Sequence, residues 1–549
     1  MKILTIKISI LIFLSIQIVF GQEKDESNLF NIDIAVESIK RHTQVLASDI
    51  FEGRGTGTTG GNLAAKFIAS EFAKYGLKPL GKDNTFYQNI PMHGSYPLKT
   101  SELKIYSGEA DISLQLEKDY LLYKSGQQTF IPAPLELVFV GYGIIAPEFD
   151  YNDYQSIDVE GKIVVFMDGE PESDNPEFFH GEVPTIYSYP EAKQRTAYSR
   201  GAAGSIEIPD LRNLDWSKKV KDFVFEDVSL AYSASNNLRV MMNPTIAEIL
   251  FKNAEYTFLN VLQMRDDNKI LSFPLNTKIS FRGEYIQRDF ISQNVVGMIE
   301  GRDPKLKDTY LIISAHYDHL GIGPSVKGDS IYNGALDNAI GVAVLLELAR
   351  RFSELEFPPR RSIIFLALTG EEKGLLGSTY YTDNPIVPLY KTIANLNIDG
   401  IAFFRDFQSV VGVGSEYSTL EYYLLETAAR LALQVDSIPP QFKVFEAFNQ
   451  SDQISFAAAG IPSILVLEGI KNTHKSKEKV LESFIDYMIN RYHTPFDDLS
   501  QEIDFIAAAQ HAEVLFDLSF SLLNSKETPE WNPGSPFINA RLRSIAERR

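Results

Sequence analysis

The sequence contains no cysteine among its 549 residues. This absence excludes disulfide bonds, thiolate zinc sites, a cysteine nucleophile and a lipid-modified N-terminal cysteine. Histidine is also scarce, with eight residues in the whole chain. A metal site must therefore combine a few imidazoles with Asp and Glu carboxylates.

The chain also lacks an excess of positive charge. It has 52 Lys and Arg against 72 Asp and Glu, a net charge of −20, and no local basic patch. Such a chain repels nucleic-acid phosphates and anionic membrane surfaces, so we expect no nucleic-acid partner. Its composition, 44% hydrophobic and 23% charged, is ordinary for a folded protein, and its length suggests more than one structural unit.

No apolar run is long enough for a membrane span, which needs roughly 20 residues. The longest, residues 8–20, follows Lys2 and Lys7 and ends before Gly21, after which the chain turns polar. This arrangement predicts a secretory signal peptide, and the alternative is an uncleaved membrane anchor. We expect an exported protein, periplasmic or extracellular, with no stable membrane association after signal cleavage.

Two amphipathic patterns, residues 35–50 and 63–75, predict helices on either side of a glycine-rich loop at residues 53–61. The loop contains a formal GxGxxG pattern that starts at Gly55. A dinucleotide site needs a strand immediately before its glycines, whereas here a helix precedes them. The sequence therefore predicts a structural loop.

Short β-branched and aromatic runs between residues 101 and 290, with one helix at 189–200, predict a β-rich module. From residue 294 onward strand-like and helix-like runs alternate, which predicts an α/β sandwich with a largely parallel sheet. The last segment, residues 525–549, is polar and contains prolines, and we expect a poorly ordered tail.

Residues that bind metals follow the predicted strands, where ligands gather in open α/β sheets. They are His316, Asp318 and His319 after residues 310–315, Glu371 and Glu372 after 362–368, Asp399 after 393–398, Asp337 before an apolar helix, and His493 in a later loop. Each has an ordinary structural alternative, such as a helix cap, a turn residue or a surface side chain. Together they indicate a metal site, because chance rarely places such residues at consecutive strand ends.

Five ordered motifs make the chain resemble the M28 zinc peptidases, particularly bacterial aminopeptidase-like members with a protease-associated (PA) domain insert. The motifs are SAHYDHLG at 314–321, NGALDNAIG at 333–341, TGEEKGLLGS at 369–378, NID at 397–399 and YHTPFDD at 492–498. Residues 46–57 look like the family's N-terminal part, and residues 138–167 and 192–208 look like its PA insert. The resemblance covers nearly all of the chain that follows the predicted signal peptide, except the tail.

The resemblance implies an α/β fold, a three-layer sandwich with a mostly parallel central sheet (the zinc exopeptidase fold), plus an inserted β-rich PA-like domain. The division that follows is a signal peptide at 1–21, the N-terminal part of the peptidase domain at 22–107, the PA-like insert at 108–283, the zinc peptidase domain at 284–524 and a polar tail at 525–549.

The resemblance also implies a cofactor of two Zn²⁺ ions bridged by the Asp337 carboxylate. One ion would be completed by Glu372 and His493, the other by His316 and Asp399. Imidazole and carboxylate are suitable zinc ligands, and an open position for water is typical of a catalytic site.

The catalytic roles are implied in the same way. The nucleophile would be a hydroxide that bridges the metals, and Glu371 would act as general base and later protonate the leaving amine. Asp318 would accept the second imidazole N–H of His316 and fix its orientation. His319 has two open alternatives, a role beside the ligands or a place on the surface.

One stretch departs from the family pattern. Several members carry Ser-Asp-His near a tyrosine whose hydroxyl is thought to assist the tetrahedral intermediate. Here Gln453 replaces that histidine, and Phe448 supplies no hydroxyl. The departure leaves the predicted metal ligands intact and puts the oxyanion partner and the substrate pocket in question.

The sequence thus predicts a secreted two-zinc exopeptidase acting on peptides, with an aminopeptidase as the first hypothesis. An M28-type carboxypeptidase or a glutaminyl cyclase is the alternative, although cyclases work with a single zinc. A non-catalytic, receptor-like ectodomain is a third reading; such a protein would typically have lost ligands or the base, and here all are present.

Overall fold

The computed structural model describes residues 32–547 except 109–110, 123–128, 176, 180, 182–184, 211, 213–214, 236, 401–402 and 439–447. The predicted signal peptide, residues 1–21, lies outside the described residues. Among the helices that are described, none combines the length and apolarity of a membrane-spanning segment.

The chain alternates strands and helices along most of its length. The described strands are β1 Lys78–Pro79, β2 Tyr87–Pro97, β3 Glu102–Tyr106, β4 Asp111–Leu114, β5 Tyr120–Leu122, β6 Phe130–Val140, β7 Ile145–Ala146, β8 Tyr151–Asn152, β9 Ile163–Met167, β10 Gly204–Ile208, β11 Asp227–Leu230, β12 Leu238–Met242, β13 Ser272–Arg282, β14 Tyr285–Ile299, β15 Tyr310–His316, β16 Gly321–Val326, β17 Asp329–Tyr332, β18 Ser362–Leu368, β19 Thr392–Asn397, β20 Ser409–Val413, β21 Gln434–Val435 and β22 Ser463–Glu468. The described α-helices are α1 Ile32–Leu46, α2 Thr59–Lys74, α3 Pro190–Ser199, α4 Trp216–Asp222, α5 Glu248–Phe251, α6 Phe258–Asp266, α7 Ile340–Ser353, α8 Leu376–Asp383, α9 Leu420–Arg430, α10 Gln453–Ala458, α11 Lys477–Asn490, α12 Phe505–Asn524 and α13 Ile538–Ala546.

A mixed central sheet organises the fold. Its strand order is β11-β2-β14-β18-β15-β19-β22-β20-β21, and β1 also pairs with β14. The four central strands β18, β15, β19 and β22 run parallel. Antiparallel strands flank them, with β14 and β2 on one side and β20 on the other. The α/β fold with a mostly parallel central sheet, typical of zinc exopeptidases, is therefore confirmed.

The central strands are apolar on both faces because helices cover both sides of the sheet. Leu311 and Ile313 of β15 belong to the larger core, which includes residues of α1, α2, α7 and α12. Ile312 points to the opposite core, where Tyr381 of α8 and Phe456 of α10 pack. This alternation follows from the two-residue period of a strand and gives three layers.

A second sheet has the order β4-β3-β13-β6-β9-β10-β12-β5 and its own hydrophobic core. We call residues 102–282, which contain it, the β-rich unit. The long antiparallel pair of β2 and β14 joins this unit to the central sheet. In the chain, the first strand of the second sheet is Glu102–Tyr106, which precedes the predicted boundary at residue 108. Asp227–Leu230 lies between the predicted boundaries at residues 108 and 283 but pairs with β2 in the central sheet. The two sheets therefore interleave along the chain.

The C-terminal segment is ordered as far as residue 547, and the expectation of a poorly ordered tail is wrong. Trp531 is buried, and its indole N–H donates to the Gly460 carbonyl at 2.9 Å. Arg541 in α13 donates to the carbonyls of Leu389 and Thr392. A single large aromatic side chain and these hydrogen bonds anchor a segment whose average composition is polar.

Candidate metal centre

The register of three parallel strands brings the predicted ligands together. His316, the last residue of β15, pairs with Leu368, the last residue of β18, so Glu371 and Glu372 emerge beside it. On the other side of β15, Ser314 pairs with Asn397, and Asp399 follows two residues later. The strand ends therefore place an imidazole between two groups of carboxylates.

Asp337 reaches the same place from a loop before α7. The helix is capped at Ala339, so the alternative of Asp337 as a helix cap is wrong. Both oxygens of the buried Asp497 carboxylate hold this loop, accepting the N–H groups of Leu336 and Asp337 at 3.0 Å each. Tyr487 also donates its hydroxyl to Asp497 at 3.1 Å.

The five predicted ligands lie in mutual contact around Asp337. His316 Nε2 is 3.3 Å from Asp337 Oδ1 and 3.3 Å from Asp399 Oδ1. His493 Nε2 is 3.4 Å from Asp337 Oδ2 and 3.1 Å from Glu372 Oε2. Each oxygen of Asp337 thus faces a different histidine, an arrangement suited to a bridging carboxylate.

His319 is fully buried, so its alternative place on the surface is wrong. Its Nδ1 lies 2.6 Å from Glu372 Oε1 and 3.8 Å from Asp337 Oδ2. Two groups of side chains could therefore hold a metal ion: His316 with Glu371 and Asp399, and His319 with Asp337 and Glu372. His319 therefore lies among the predicted ligands and is itself able to contribute a ligand atom, whereas the sequence left its place open.

The charges of the site call for a cation. Burial disfavours the charge of His316, but the carboxylates of Glu371 and Asp399 outweigh it and raise its pKa well above the ordinary value. Burial also opposes the charge of Asp337, yet hydrogen bonds from His316 and His493 hold its pKa well below the usual range. A bound cation would supply the positive charge that these carboxylates otherwise draw from the histidines, because metal ligands bind in their deprotonated forms. Oxygen and nitrogen donors in this number fit zinc.

The carboxylate of Asp318 does not accept the second imidazole N–H of His316, contrary to the prediction from the sequence. The atom near His316 Nδ1 is the main-chain carbonyl oxygen of Asp318, at 3.2 Å, and not its carboxylate. The carboxylate turns away and accepts the Thr56 hydroxyl at 2.9 Å and the Glu371 N–H at 3.1 Å. Its side chain therefore positions the Glu371 backbone, while its carbonyl orients His316.

Arg54 supports the centre, a role that no sequence pattern predicted. The guanidinium is fully buried and donates to the carbonyls of Tyr317, Asn333 and Gly334, which belong to two of the metal motifs. Burial lowers its pKa to about 10, and nearby carboxylates such as Asp497 oppose the shift. The glycine-rich loop thus has a structural role.

The departure at Gln453 and Phe448 has a structural explanation. The Gln453 side chain accepts the Asn397 amide at 2.9 Å and donates to the Phe448 carbonyl at 2.8 Å, so it braces the strand that precedes Asp399. The Phe448 ring packs against Tyr417 and Phe537.

Tyr492 lies at the centre and carries a hydroxyl group, which Phe448 lacks. Its ring stacks on His493 with centroids 3.9 Å apart. Burial raises its pKa well above the ordinary value, so the hydroxyl stays protonated.

Two cavities meet at Glu371, Gln450 and Tyr492 on one side and at Asp168, Gly169 and residues 188–190 of the β-rich unit on the other. The apolar cavity, about 740 Å³, is lined mainly by large hydrophobic side chains, among them Phe403, Phe404, Leu465, Leu467, Phe484 and Met488. The polar cavity, about 1230 Å³, extends from Glu371, Glu372 and His493 to the β-rich unit. The Asn449 amide donates to the Tyr189 hydroxyl at 3.1 Å and joins the two sides of this cleft.

Known proteins match this chain in sequence and in fold. Residues 294–519 match the model of Peptidase family M28. A probable zinc metalloprotease of Pyrenophora teres f. teres is 26% identical over 275 residues, 48% of this chain and 52% of the relative. Aminopeptidase YwaD of Bacillus subtilis is 29% identical over 234 residues, 41% of this chain and 45% of the relative. The matches thus span about half the length of these curated relatives.

A solved structure extends the likeness to nearly the whole chain. The aminopeptidase from Aneurinibacillus sp. strain AM-1 superposes with a TM-score of 0.53 over 92% of this chain and 99% of its own. At 18% identity this likeness shows a shared fold.

Proposed function

From the premise that the chain belongs to peptidase family M28 through residues 294–519, we propose that it is a two-zinc aminopeptidase that releases N-terminal residues from peptides. The observation that carries the proposal is Asp337, which presents one oxygen to His316 and the other to His493. Asp337 would hold both ions, Glu372 and His493 would complete the site of one, and His316 and Asp399 would complete the site of the other.

Two zinc ions in these positions would polarise the scissile carbonyl and acidify the attacking water. Glu371 then accepts the proton of that water and returns it to the leaving amine. Burial raises the pKa of Glu371 well above the usual range, and the nearby Glu372 and Asp399 add to the effect, whereas His316 opposes it. Asp318 holds the Glu371 N–H. The Tyr492 hydroxyl, on a ring that stacks on His493 and lines both cavities, would donate to the oxygen on which charge develops.

The charges around the apolar cavity favour an amine over a carboxylate. Its charged lining residues are all acids, Asp168, Asp337, Glu371, Asp399 and Glu468, and no Lys or Arg of the described residues lines it. Bound zinc would neutralise the ligands Asp337 and Asp399, which leaves Asp168 and Glu468 as lining acids outside the metal set. A substrate ammonium group is attracted to these two acids, whereas a C-terminal carboxylate would face like charges. This contrast is our reason for preferring an aminopeptidase to a carboxypeptidase.

The apolar cavity also suggests which residue is released. Burying a large apolar side chain contributes roughly 1.5–3 kcal/mol, and the cavity walls are aromatic and aliphatic. We propose that the first residue of the substrate is large and apolar, such as Leu or Phe.

The test compares tripeptides with free and blocked ends on zinc-loaded protein. We expect free and C-amidated Leu-Ala-Ala to lose leucine, and the N-acetylated peptide to resist. Glu371→Gln should abolish release, whereas Glu354→Gln, which changes an exposed glutamate paired with Arg350, should not. Release from the C-terminus of the N-acetylated peptide would instead identify a carboxypeptidase.

We also propose that the protein is exported by its first 21 residues. The expected mature N-terminus is Gln22, and N-terminal sequencing of protein recovered from outside the cytoplasm tests this. A retained Met1 in that fraction would contradict the proposal.

A further inference from the structure

A group of acids on the β-rich unit faces the metal centre across the polar cavity. We call it the acidic wall: Asp168, Glu170, Asp174, Glu191 and Glu207. Two of its members come from adjacent parallel strands. Asp168 follows the end of β9, and Glu207 lies in β10 opposite Phe166. The strand ends of the second sheet thus point toward those of the central sheet.

Glu207 is the unexplained member of this wall. The residue is 3% exposed, it lines the cavity, and its Oε2 has no hydrogen-bond partner among the described residues. Burial raises its pKa to about 8, Asp168 adds to the effect and Lys193 opposes it. A buried carboxyl oxygen without a hydrogen-bond partner is unusual in a folded protein. A cationic ligand that donates to this oxygen would also favour the ionised form of Glu207.

The cations near the wall are mostly engaged elsewhere. The Lys193 ammonium group is buried and donates to the carbonyls of Met167, at 2.9 Å, and Gly169. Arg212 and Arg265 form ion pairs with Asp210, which is not part of the wall.

One further lysine, Lys219, also lines the cavity. Even with the Glu207 carboxyl group protonated, four acids against two lysines, Lys193 and Lys219, leave the wall negative.

We propose that the acidic wall binds the Lys or Arg side chain of a substrate residue on the C-terminal side of the scissile bond. The inference rests on the proposed aminopeptidase function. The apolar cavity takes the first residue, and the two cavities meet at Glu371 and Tyr492, so the rest of the peptide enters the polar cavity. That cavity, about 1230 Å³, exceeds the roughly 300–1,000 Å³ of small-molecule pockets and has room for several residues.

The experiment uses the full zinc-loaded protein and two peptide series. Each peptide begins with Leu and carries either lysine or norleucine, which lacks the ammonium group, at the second, third or fourth position. We expect lysine to raise kcat/KM by about tenfold at one position, equivalent to one buried charge pair. In Glu207→Gln the ratio of lysine to norleucine should fall to about twofold or less.

Two further variants keep the test decisive. Asp168→Asn changes a less buried member of the wall, which lines both cavities. It should lower the same ratio, because any weaker attraction for the N-terminal ammonium group affects the lysine and norleucine peptides alike. Glu160→Gln, an exposed glutamate of the same unit that does not line the cavity, should retain the wild-type ratio.

The outcomes separate this inference from the proposed function. Cleavage of both series with equal kcat/KM, or a preference that survives in Glu207→Gln and Asp168→Asn, would overturn the acidic wall and leave the aminopeptidase standing. Cleavage of neither series, together with no calorimetric binding of the peptides to Glu371→Gln protein, would overturn both.

Discussion

Replacing Asp497 with Asn tests how the Asp337 loop is held. Asp497 accepts the N–H groups of Leu336 and Asp337, one on each carboxylate oxygen, and the Tyr487 hydroxyl and the Gln501 amide also donate to it. An asparagine has one oxygen and one NH₂ group in place of the two carboxylate oxygens. The NH₂ group would then face two of these four N–H and O–H donors. At least one hydrogen bond to a charged acceptor is lost, worth about 1.5–3 kcal/mol.

That loss acts on zinc affinity because Asp337 is the proposed bridging ligand. The variant loop is less well held, so zinc binding must order it at a cost of about 1.5–3 kcal/mol. This cost corresponds to roughly a 10- to 100-fold weaker zinc affinity. Competition with a chromogenic chelator measures the affinity, and circular dichroism confirms the fold. Asp498→Asn is the matched control, because that neighbour accepts only exposed groups of Ser500. Wild-type zinc affinity in Asp497→Asn would refute the reasoning.

The other predictions concern the base, the buried arginine, a buried histidine and the metal. Glu371→Gln should lower kcat by about 10²–10⁴-fold with the zinc content retained, and activity near wild type would contradict its role. Arg54→Met should lower the free energy of unfolding by about 3 kcal/mol or more in urea titrations, because three loop carbonyls lose a buried charged donor, and an unchanged midpoint would count against this. Burial lowers the pKa of His511 to about 4, so the unfolded chain binds more protons below pH 6.5 and stability falls from pH 6.5 toward 4. The His511→Leu variant should lose less stability between pH 6.5 and 4, by up to about 3 kcal/mol in the free energy of unfolding. A pH profile identical to that of the wild type would exclude His511 as the source of the pH dependence. Removal of zinc by a chelator should abolish activity and zinc should restore it, whereas full activity of the apoprotein would exclude the metal mechanism.

The central sheet and the convergence of its strand ends could be predicted from the sequence. The runs at 310–315 and 362–368 are short, apolar and followed by metal-binding residues, and parallel strands necessarily share one edge. The long strands β2 and β14 escaped prediction. Tyr87–Pro97 contains two prolines and mixes polar with apolar residues, and its pairing with Tyr285–Ile299 joins segments far apart in the chain.

The residues that support the site were harder to predict from the sequence than the ligands themselves. Arg54 and Asp497 act on loops that are distant in sequence, so no local pattern relates them to Asp337 or His316. Asp318 illustrates the same limit at close range. Its spacing from His316 is compatible with a side-chain or a main-chain contact, and only the backbone path selects the carbonyl oxygen.

The most direct test of the account is mass spectrometry of the products formed from one peptide, Leu-Ala-Ala-Ala, by zinc-loaded protein. The account predicts free leucine and the tripeptide Ala-Ala-Ala as the first products, with no reaction of the N-acetylated peptide or of chelated protein. Alanine released from the C-terminus, or the same products from metal-free protein, would contradict it.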